Sequence, residues 1–261
     1  MNRAICAGCR KTGGRLYPFS FAFVLWIFCF GLSHAAQSVW LPPQTPDLAD
    51  IPPPWQRIQL NRDTAPTRYR IRQWDGVLAV EAVAERSMTL LARPVAVDLN
   101  RTPVLCWRWR VDAPLVNADL ATKAGDDYAA RVYVSFALPP DEIGWMLRGK
   151  LALARTIYGD AVPDAALNYV WDNRYPVGTR RPNAYTGRTR VIVAESGAAN
   201  AGRWVVARHD VQRDVIAEFG SPQAAIVQLA LAADTDNTGE YARAGFADFH
   251  FVARDNACVF E

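Results

Sequence analysis

Alternation of apolar and polar residues is the dominant pattern beyond residue 66, and it predicts β-strands because successive strand side chains point to opposite faces. A strand over 67–73, a turn at Trp74-Asp75-Gly76 and a partner strand over 77–84 form the clearest predicted hairpin. Further strands are predicted at 104–111, 131–136, 166–172, 189–194, 203–208, 226–233 and 247–253. Many strands without regular β–α alternation favour a mainly β fold, an antiparallel jelly-roll-like β-sandwich.

Two segments interrupt the strands with helical spacing and predict one or two short inserted helices. One begins near Asp141 and carries its apolar residues on one side. These residues are Ile143, Met146, Leu147, Leu151, Ala154 and Ile157. The other spans 210–219 and ends at Gly220, a residue type that commonly terminates helices.

Residues 1–35 predict a cleavable signal peptide. A basic region ends at Arg15, an uncharged apolar run covers 19–32, and the small residues Ser33 and Ala35 suit a peptidase that cuts after Ala35. The apolar run is shorter than the roughly 20 residues that a membrane-spanning helix needs, although an uncleaved anchor remains an alternative. We therefore expect a periplasmic or secreted protein with no stable membrane span after processing.

A proline-rich segment, 36–54, separates the signal peptide from the predicted domain. Its prolines are Pro42, Pro43, Pro46, Pro52, Pro53 and Pro54. The segment shows no periodicity that would build a helix or a strand, so it predicts a linker. The β-sandwich domain is predicted to cover 55–261.

Charge is distributed unevenly along the chain. The whole sequence has 29 basic and 26 acidic residues, which gives a formal net charge of +3. Four of the basic residues, Arg3, Arg10, Lys11 and Arg15, lie in the predicted signal peptide, which contains no acid. Their removal leaves 25 basic residues against 26 acidic ones, so we expect no nucleic-acid partner for the processed protein.

Two cysteines, Cys106 and Cys258, remain after the predicted signal peptide. Both lie in strand-like stretches, 104–107 and 257–260. In an oxidising compartment such a pair is expected to form a disulfide, which would tie the end of the chain to an early core strand. Two buried free thiols are the alternative.

Several enzyme chemistries lack the residues that they need. Beyond residue 35 the sequence has only His209 and His250 as histidines, whereas a zinc site needs three or four nitrogen or sulfur ligands at suitable spacing. The sequence contains no G-x-S-x-G, no P-loop and no G-x-G-x-x-G. A zinc enzyme, a serine hydrolase and a nucleotide-dependent enzyme are therefore not expected.

Four separated motifs resemble an uncharacterised exported bacterial family that is catalogued as a domain of unknown function, number 3047. The motifs are CWRWRV (106–111), GDDYAARVYVSF (125–136), LNYVWDN (167–173) and DTDNTG (234–239). The resemblance covers most of 55–253. It implies a periplasmic or surface location and a jelly-roll-like sandwich similar to carbohydrate-binding modules, and it brings no activity and no catalytic residue.

Carboxylates cluster where the predicted strands end. Asp234 and Asp236 begin D-x-D-x-x-G, and such oxygen-rich loops suit Ca²⁺. An EF-hand is excluded because Gly245 stands where its twelfth-position glutamate is required. Asp234 and Asp236 are the predicted calcium ligands; the alternative is that these residues only shape the turn.

Polar residues opposite two apolar stripes predict a ligand surface. If strands 104–111 and 131–136 belong to one sheet, their outward side chains share a face that suits a sugar or a carboxylate. These side chains are Arg108, Arg110, Arg131 and Tyr133, with Trp171 and Asp172 as further candidate contacts at a strand end. Trp107 and Trp109 lie on the apolar stripe, which favours the core. Solvated or buried arginine–aspartate ion pairs are the alternative role for the polar face.

These observations favour an exported, non-catalytic β-sandwich that binds a glycan or an acidic saccharide. One alternative is a hydrolase or lyase that acts on an envelope polysaccharide through aspartates at the rim of the sandwich. Another is an envelope assembly protein without a small ligand, which the amphipathic segment 141–158 would suit.

Overall fold

Residues 37–39, 50–158 and 162–260 are described by the computed structural model. The predicted signal peptide and most of the predicted linker lie outside these residues. The described strands are β1 (Gln37–Ser38), β2 (Gln56–Ile58), β3 (Arg68–Trp74), β4 (Val77–Glu85), β5 (Leu90–Pro94), β6 (Val104–Val111), β7 (Tyr128–Ala137), β8 (Ala165–Asp172), β9 (Arg180–Pro182), β10 (Thr189–Ser196), β11 (Val205–Asp210), β12 (Ala225–Asp234) and β13 (Tyr241–Val252). The described α-helices are α1 (Trp145–Tyr158) and α2 (Val211–Phe219). Neither of these two helices has the length and apolar character that crossing a membrane requires.

Two sheets pack face to face and form a sandwich, which confirms the predicted fold class. Sheet 1 has the strand order β11-β6-β13-β4-β3, and β1 pairs with β13 as well. Sheet 2 has the order β2-β5-β12-β7-β8-β10-β9. Pairing among the described strands is antiparallel except between β8 and β10. The prediction of antiparallel pairing is wrong there, because residues 173–188 form a connection long enough to return the chain in the parallel direction.

The hairpin of β3 and β4 shows how the local sequence builds sheet 1. Asp75 and Gly76 form its two-residue turn, and both have positive φ angles, of 49° and 79°. Such a turn matches the right-handed twist of the flanking strands, and Asp-Gly is a favoured sequence for it. The predicted hairpin is therefore confirmed, with Trp74 paired to Val77.

Tryptophans join the two sheets in the core. Trp107 and Trp109 of β6 are fully buried, as their position on the apolar stripe predicted. Their ring centroids lie 5.4 Å apart, and Trp109 lies 5.7 Å from Trp171 of β8, across the sandwich. Such aromatic pairs contribute roughly 0.5–1.5 kcal/mol each beyond the burial of apolar area.

The two ends of the described chain both attach to sheet 1. Gln37 and Ser38 pair with the end of β13, so this part of the predicted linker is a strand. At the other end, Cys106 and Cys258 form a disulfide with their Cα atoms 5.8 Å apart, which confirms the predicted bond. The strand predicted at 257–260 is wrong: residues 253–260 form no strand, and the disulfide fixes them over the outer side of β6.

Candidate ligand-binding groove

The predicted four-residue ligand surface does not exist, because β6 and β7 belong to different sheets. Residues 112–127 carry the chain from one sheet to the other. Arg108 and Arg110 therefore lie on the outer face of sheet 1, whereas Arg131 and Tyr133 lie on the outer face of sheet 2.

Arg108 and Arg110 bind neighbouring groups of sheet 1. The Arg110 guanidinium contacts the Asp75 carboxylate and donates to the carbonyl oxygen of Gly202 at 2.8 Å. It also lies 4.2 Å from the ring of Trp74, and the residue is buried. Arg108 contacts the Asp248 carboxylate. Both arginines therefore hold the outer layer of sheet 1 together, and a ligand contact by either stays a prediction.

Arg131 and Tyr133 belong to a buried cluster on sheet 2. The Arg131 guanidinium contacts the Asp234 carboxylate, and only 4% and 1% of the two side chains are exposed. The rings of Tyr128 and Tyr133 flank the guanidinium at 5.2 and 5.3 Å. Burial lowers the pKa of Arg131, but the Asp234 carboxylate together with Tyr133, Asp126 and Tyr128 outweighs this effect and raises the pKa above its ordinary value. Arg131 is thus part of a buried ion pair, which was the alternative to a ligand contact.

Trp171 and Asp172 also have structural roles, and their ligand contacts stay a prediction. The Trp171 indole is buried in the core and donates to the carbonyl oxygen of Gly197 at 3.0 Å. The buried Asp172 carboxylate accepts hydrogen bonds from the backbone N–H groups of Arg174 and Tyr175, at 2.7 and 2.6 Å. Asp172 therefore shapes the turn that follows β8.

The two predicted calcium ligands lie beside a third carboxylate. Oxygens of Asp127, Asp234 and Asp236 lie within 4.8 Å of one another. Carboxylate oxygens of two of these residues already bind protein groups. Asp127 Oδ2 accepts from Thr238 Oγ1 at 2.8 Å, and the Asp234 carboxylate binds Arg131. Partial burial raises the pKa of Asp236, and the Asp127 carboxylate raises it further. Calcium binding by Asp234 and Asp236 stays a prediction.

An open groove of about 820 Å³ lies on the outer face of sheet 1, at the end formed by β3, β4 and β13. This volume lies within the range of roughly 300–1,000 Å³ that is typical of ligand sites. The groove is lined by Arg57, Pro66, Thr67, Arg68, Tyr69, Arg70, Glu81, Val83, Asp112, Tyr241 and Arg243. Four arginines against two carboxylates give this lining a net positive charge.

Glu81 organises two arginines of the groove, Arg70 and Arg243, and the neighbouring Arg72. Its side chain is 1% exposed, and its carboxylate contacts Arg70 and accepts from Arg72 at 3.0 Å and from Arg243 at 2.7 Å. Arg243 also binds Asp112 at 3.2 Å. Burial acts to raise the pKa of Glu81, but the hydrogen bonds from the arginines outweigh burial and lower it. The carboxylate is therefore ionised, and it holds three guanidinium groups in fixed positions.

An aromatic layer supports this cluster from one side. The guanidinium groups of Arg72 and Arg243 lie 5.2 and 4.1 Å from the Trp74 ring, close enough for cation–π attraction. Trp204 contacts the edge of Trp74, with its centroid 6.2 Å away. Position 245 beneath them has room only for glycine, because a Cβ atom there would lie 2.8 Å from the Trp204 ring. Arg72 and Arg243 thus rest on a packed aromatic surface.

Solvent-exposed side chains form the rim of the groove. Tyr241 is 56% exposed, and the side chains of Arg68 and Arg70 are 69% and 53% exposed. The Arg68 guanidinium lies 4.0 Å from Glu85, an exposed pair that contributes little to stability. These three side chains are therefore accessible to a ligand, in contrast to Arg110 and Arg131.

Sequence reasoning missed the groove although the same signal was present. Arg68, Arg70 and Arg72 alternate with Tyr69 and Ile71, as the arginines of β6 alternate with its tryptophans. Tyr69 and Ile71 are buried, so the three arginines lie on the outer face. The alternation in β3 therefore indicated a second basic strand face, equivalent to the polar face of β6.

The lowered pKa of Glu81 predicts how the free energy of unfolding depends on pH in acid. Because this pKa in the folded protein lies below the ordinary value of 4.5, folding favours the ionised form. The stabilisation that ionised Glu81 contributes to the folded protein is complete above pH 4.5, and it is lost as the pH falls through the folded-state pKa. We expect Glu81→Gln to flatten the acid side of the stability profile, measured by urea unfolding at a series of pH values. Glu85→Gln, which removes an exposed acid, is the control; equal slopes in wild type and Glu81→Gln would contradict the prediction.

Comparisons with known proteins found matches among solved structures, whereas no curated protein matches this chain. The family 30 carbohydrate-binding module of a cellulosomal cellulase of Clostridium thermocellum has a TM-score of 0.37 at 10% identity, over 85% of this chain and 100% of that chain. The endo-1,4-beta-glucanase CelB2 has a TM-score of 0.38 at 11% identity, over 80% of this chain and 100% of that chain. The xyloglucanase domain of NopAA from Sinorhizobium fredii has a TM-score of 0.31 at 9% identity, over 77% of this chain and 98% of that chain.

One protein family matches the sequence itself. The match extends over residues 53–250, from just before β2 into β13. It includes the groove strands β3, β4 and β13 and the four motifs that suggested this family. The chain therefore belongs to the family described as "Protein of unknown function (DUF3047)".

Proposed function

We propose that this protein is an exported, non-catalytic module that binds an acidic saccharide in the groove of sheet 1. The observation that carries the proposal is that Glu81 holds Arg70 and Arg243 in the lining of the groove, with Arg243 resting on the Trp74 ring. Binding costs less when the contacting groups are already ordered in the free protein. Export rests on the sequence of residues 1–35, and the binding site rests on the groove.

The chemistry of the groove suits a sugar that carries carboxylates. A guanidinium group binds a carboxylate through two parallel hydrogen bonds, and it binds hydroxyl groups as well. Arg68 and Arg70 present such donors at the rim, where solvent reaches them. Tyr241 adds an exposed ring, whose apolar face and polar hydroxyl match the two kinds of surface on a sugar.

The carboxylates of the groove are poorly suited to catalysis. Hydrolysis of a glycosidic bond needs one carboxylic acid that is protonated, so that it can donate to the leaving group. The pKa of Glu81 is lowered by its arginines, which keeps this residue ionised. Asp112 binds Arg243, the same arginine that binds Glu81. These two acids therefore support a binding role.

The test is a binding titration with polysaccharides of different charge. Polygalacturonate and alginate are expected to bind, whereas a neutral β-glucan is expected to bind more weakly. Arg70→Ala and Tyr241→Ala should each weaken binding by roughly tenfold, the value of one charge-assisted or stacking contact. Arg208→Ala is the matched control, because Arg208 is an exposed arginine at the opposite edge of the same face.

The outcomes separate the proposal from its alternatives. Equal binding by wild type and Arg70→Ala would place the ligand elsewhere. Release of new reducing ends from any polysaccharide would favour a hydrolase. Repeating the titration and the thermal unfolding with Ca²⁺ and with EDTA tests the proposed calcium role of Asp234 and Asp236. An unchanged unfolding temperature under both conditions would contradict that role.

A further inference from the structure

Helix α1 leaves a set of large apolar side chains in solvent. Trp145, Met146 and Leu153 are 81%, 60% and 63% exposed. The sequence pattern placed Met146 on one apolar side with Ile143 and Leu151; these two belong to the core, whereas Met146 does not. Gly149 lies between these exposed residues on the helix surface. The space next to it is open as well, because a Cβ atom there would meet no neighbouring atom within 4 Å.

These side chains form one continuous stripe. Successive helical residues are rotated by about 100°, so Trp145, Leu153 and Met146 lie within an arc of about 100°. Arg148 borders this arc on one side, and Lys150 borders it on the other. Both cations are exposed. The exposed face is therefore an apolar stripe with a positive charge along each edge.

The helix carries basic residues without acids to balance them. Its sequence contains Arg148, Lys150 and Arg155 and no Asp or Glu. Arg155 binds Asp164 at 2.8 Å. Arg148 instead donates to backbone carbonyl oxygens, of Pro140 at 2.5 Å and of Ile143 at 3.2 Å. The positive charge at the edges of the stripe is thus available to an anionic surface.

We propose that α1 binds the surface of a membrane that contains anionic phospholipid. An interfacial helix places its apolar side chains at the boundary between headgroups and acyl chains, and lysines and arginines at the edge of this side reach the phosphates. Trp145 suits this position because the indole prefers the interface. A helix of this length spans about 21 Å, less than the roughly 30 Å of the hydrocarbon core, so α1 lies along the surface.

Charge favours a lipid surface over a second copy of the chain. Packing two copies through the same stripe would place Arg148 and Lys150 of one copy close to identical cations of the other. An anionic surface neutralises both residues, and each basic residue near such a surface contributes roughly 1 kcal/mol, equivalent to about a fivefold gain in binding. The proposal is independent of the saccharide groove, because the vesicles in its test contain no sugar.

The test is co-sedimentation with vesicles of phosphatidylcholine alone and of phosphatidylcholine mixed with phosphatidylglycerol. The protein is recovered from the periplasm of an expression host, and its intact mass establishes its first residue, so that an uncleaved apolar leader is not the cause of binding. Wild type is expected to bind the mixed vesicles and not the neutral ones. Arg148→Gln combined with Lys150→Gln should weaken this binding by roughly thirtyfold, and added salt should weaken it too.

A second variant tests the apolar stripe. Trp145→Ser combined with Leu153→Ser should weaken binding by tenfold or more, because this change removes two large apolar side chains from the interface. Val206→Ser and Arg208→Gln are the matched controls, since both residues are exposed on β11, away from α1. Equal binding of controls and variants would overturn the proposal. So would equal binding to both kinds of vesicle, or a dimer in solution that the Trp145 variant abolishes.

Discussion

Replacing Arg131 by methionine is expected to lower the free energy of unfolding by about 3–5 kcal/mol. The substitution leaves the Asp234 carboxylate buried without its cation, and only 1% of that side chain is exposed. Methionine retains most of the volume between Tyr128 and Tyr133, so the loss reports the charge rather than a cavity. The measurement is urea unfolding at neutral pH.

A double-mutant cycle separates the ion pair from its surroundings. Asp234→Asn should be strongly destabilising as well, because Arg131 then has no carboxylate partner. The two substitutions together should cost less than the sum of the single ones, since neither buried charge is left alone. Arg208→Met, at an exposed arginine, should change stability by less than about 0.5 kcal/mol. A loss of no more than about 1 kcal/mol for Arg131→Met would instead describe a solvent-screened pair.

The strands were predictable because alternation is a local property. In β6 the residues Trp107 and Trp109 point inward and Arg108 and Arg110 point outward, as the sequence indicates. Alternation fixes the two faces of one strand, but it does not fix which strands are neighbours. β6 and β7 follow each other in the chain with similar patterns, yet they enter different sheets. The predicted ligand surface depended on that pairing, and so it was wrong.

Burial of polar residues was the second property that the sequence did not determine. Arg131 lies on an outward-facing position, where a solvated arginine is the ordinary expectation. It is buried because Tyr128, Tyr133 and Asp234 surround it on the outer face of sheet 2. Asp234 is 103 residues away in sequence and comes from β12, which pairs with β7. Such partners become visible only once the sheet order is known.

The groove combines a predictable feature with an unpredictable one. The outward direction of Arg68, Arg70 and Arg72 follows from the alternation in β3. Their convergence on Glu81 depends on the hairpin register, which places Arg70 opposite Glu81. The contribution of Arg243 depends in addition on the pairing of β13 with β4. A basic strand was therefore readable from the sequence, whereas a fixed arginine cluster was not.

Removing the disulfide is expected to produce the other large loss of stability. Cys106 and Cys258 are 152 residues apart in sequence, and closing so long a loop contributes about 4–5 kcal/mol in the chain-entropy model. The double variant Cys106→Ala and Cys258→Ala removes the bond without leaving a free thiol. Its urea midpoint should fall well below that of wild type, and a reductant should lower the wild-type midpoint while leaving the variant unchanged.

The native fold should survive this change, because the end of the chain has other contacts. β13 pairs with both β6 and β4, and these ladders do not involve Cys258. Beyond β13, Arg254 is held by Asp210 at 2.7 Å and accepts from Arg208 through its carbonyl oxygen at 2.6 Å. Closer to the end, the Phe260 ring lies 5.3 Å from His250, and the Val259 N–H donates to His250 Nε2 at 3.3 Å. Residues 255–260, which follow Arg254 and include Cys258, should become the first site of proteolytic cleavage in the variant, whereas the sandwich keeps its strand content by circular dichroism. Equal midpoints for wild type and variant, or two reactive thiols in denatured, unreduced wild type, would contradict this role for the disulfide.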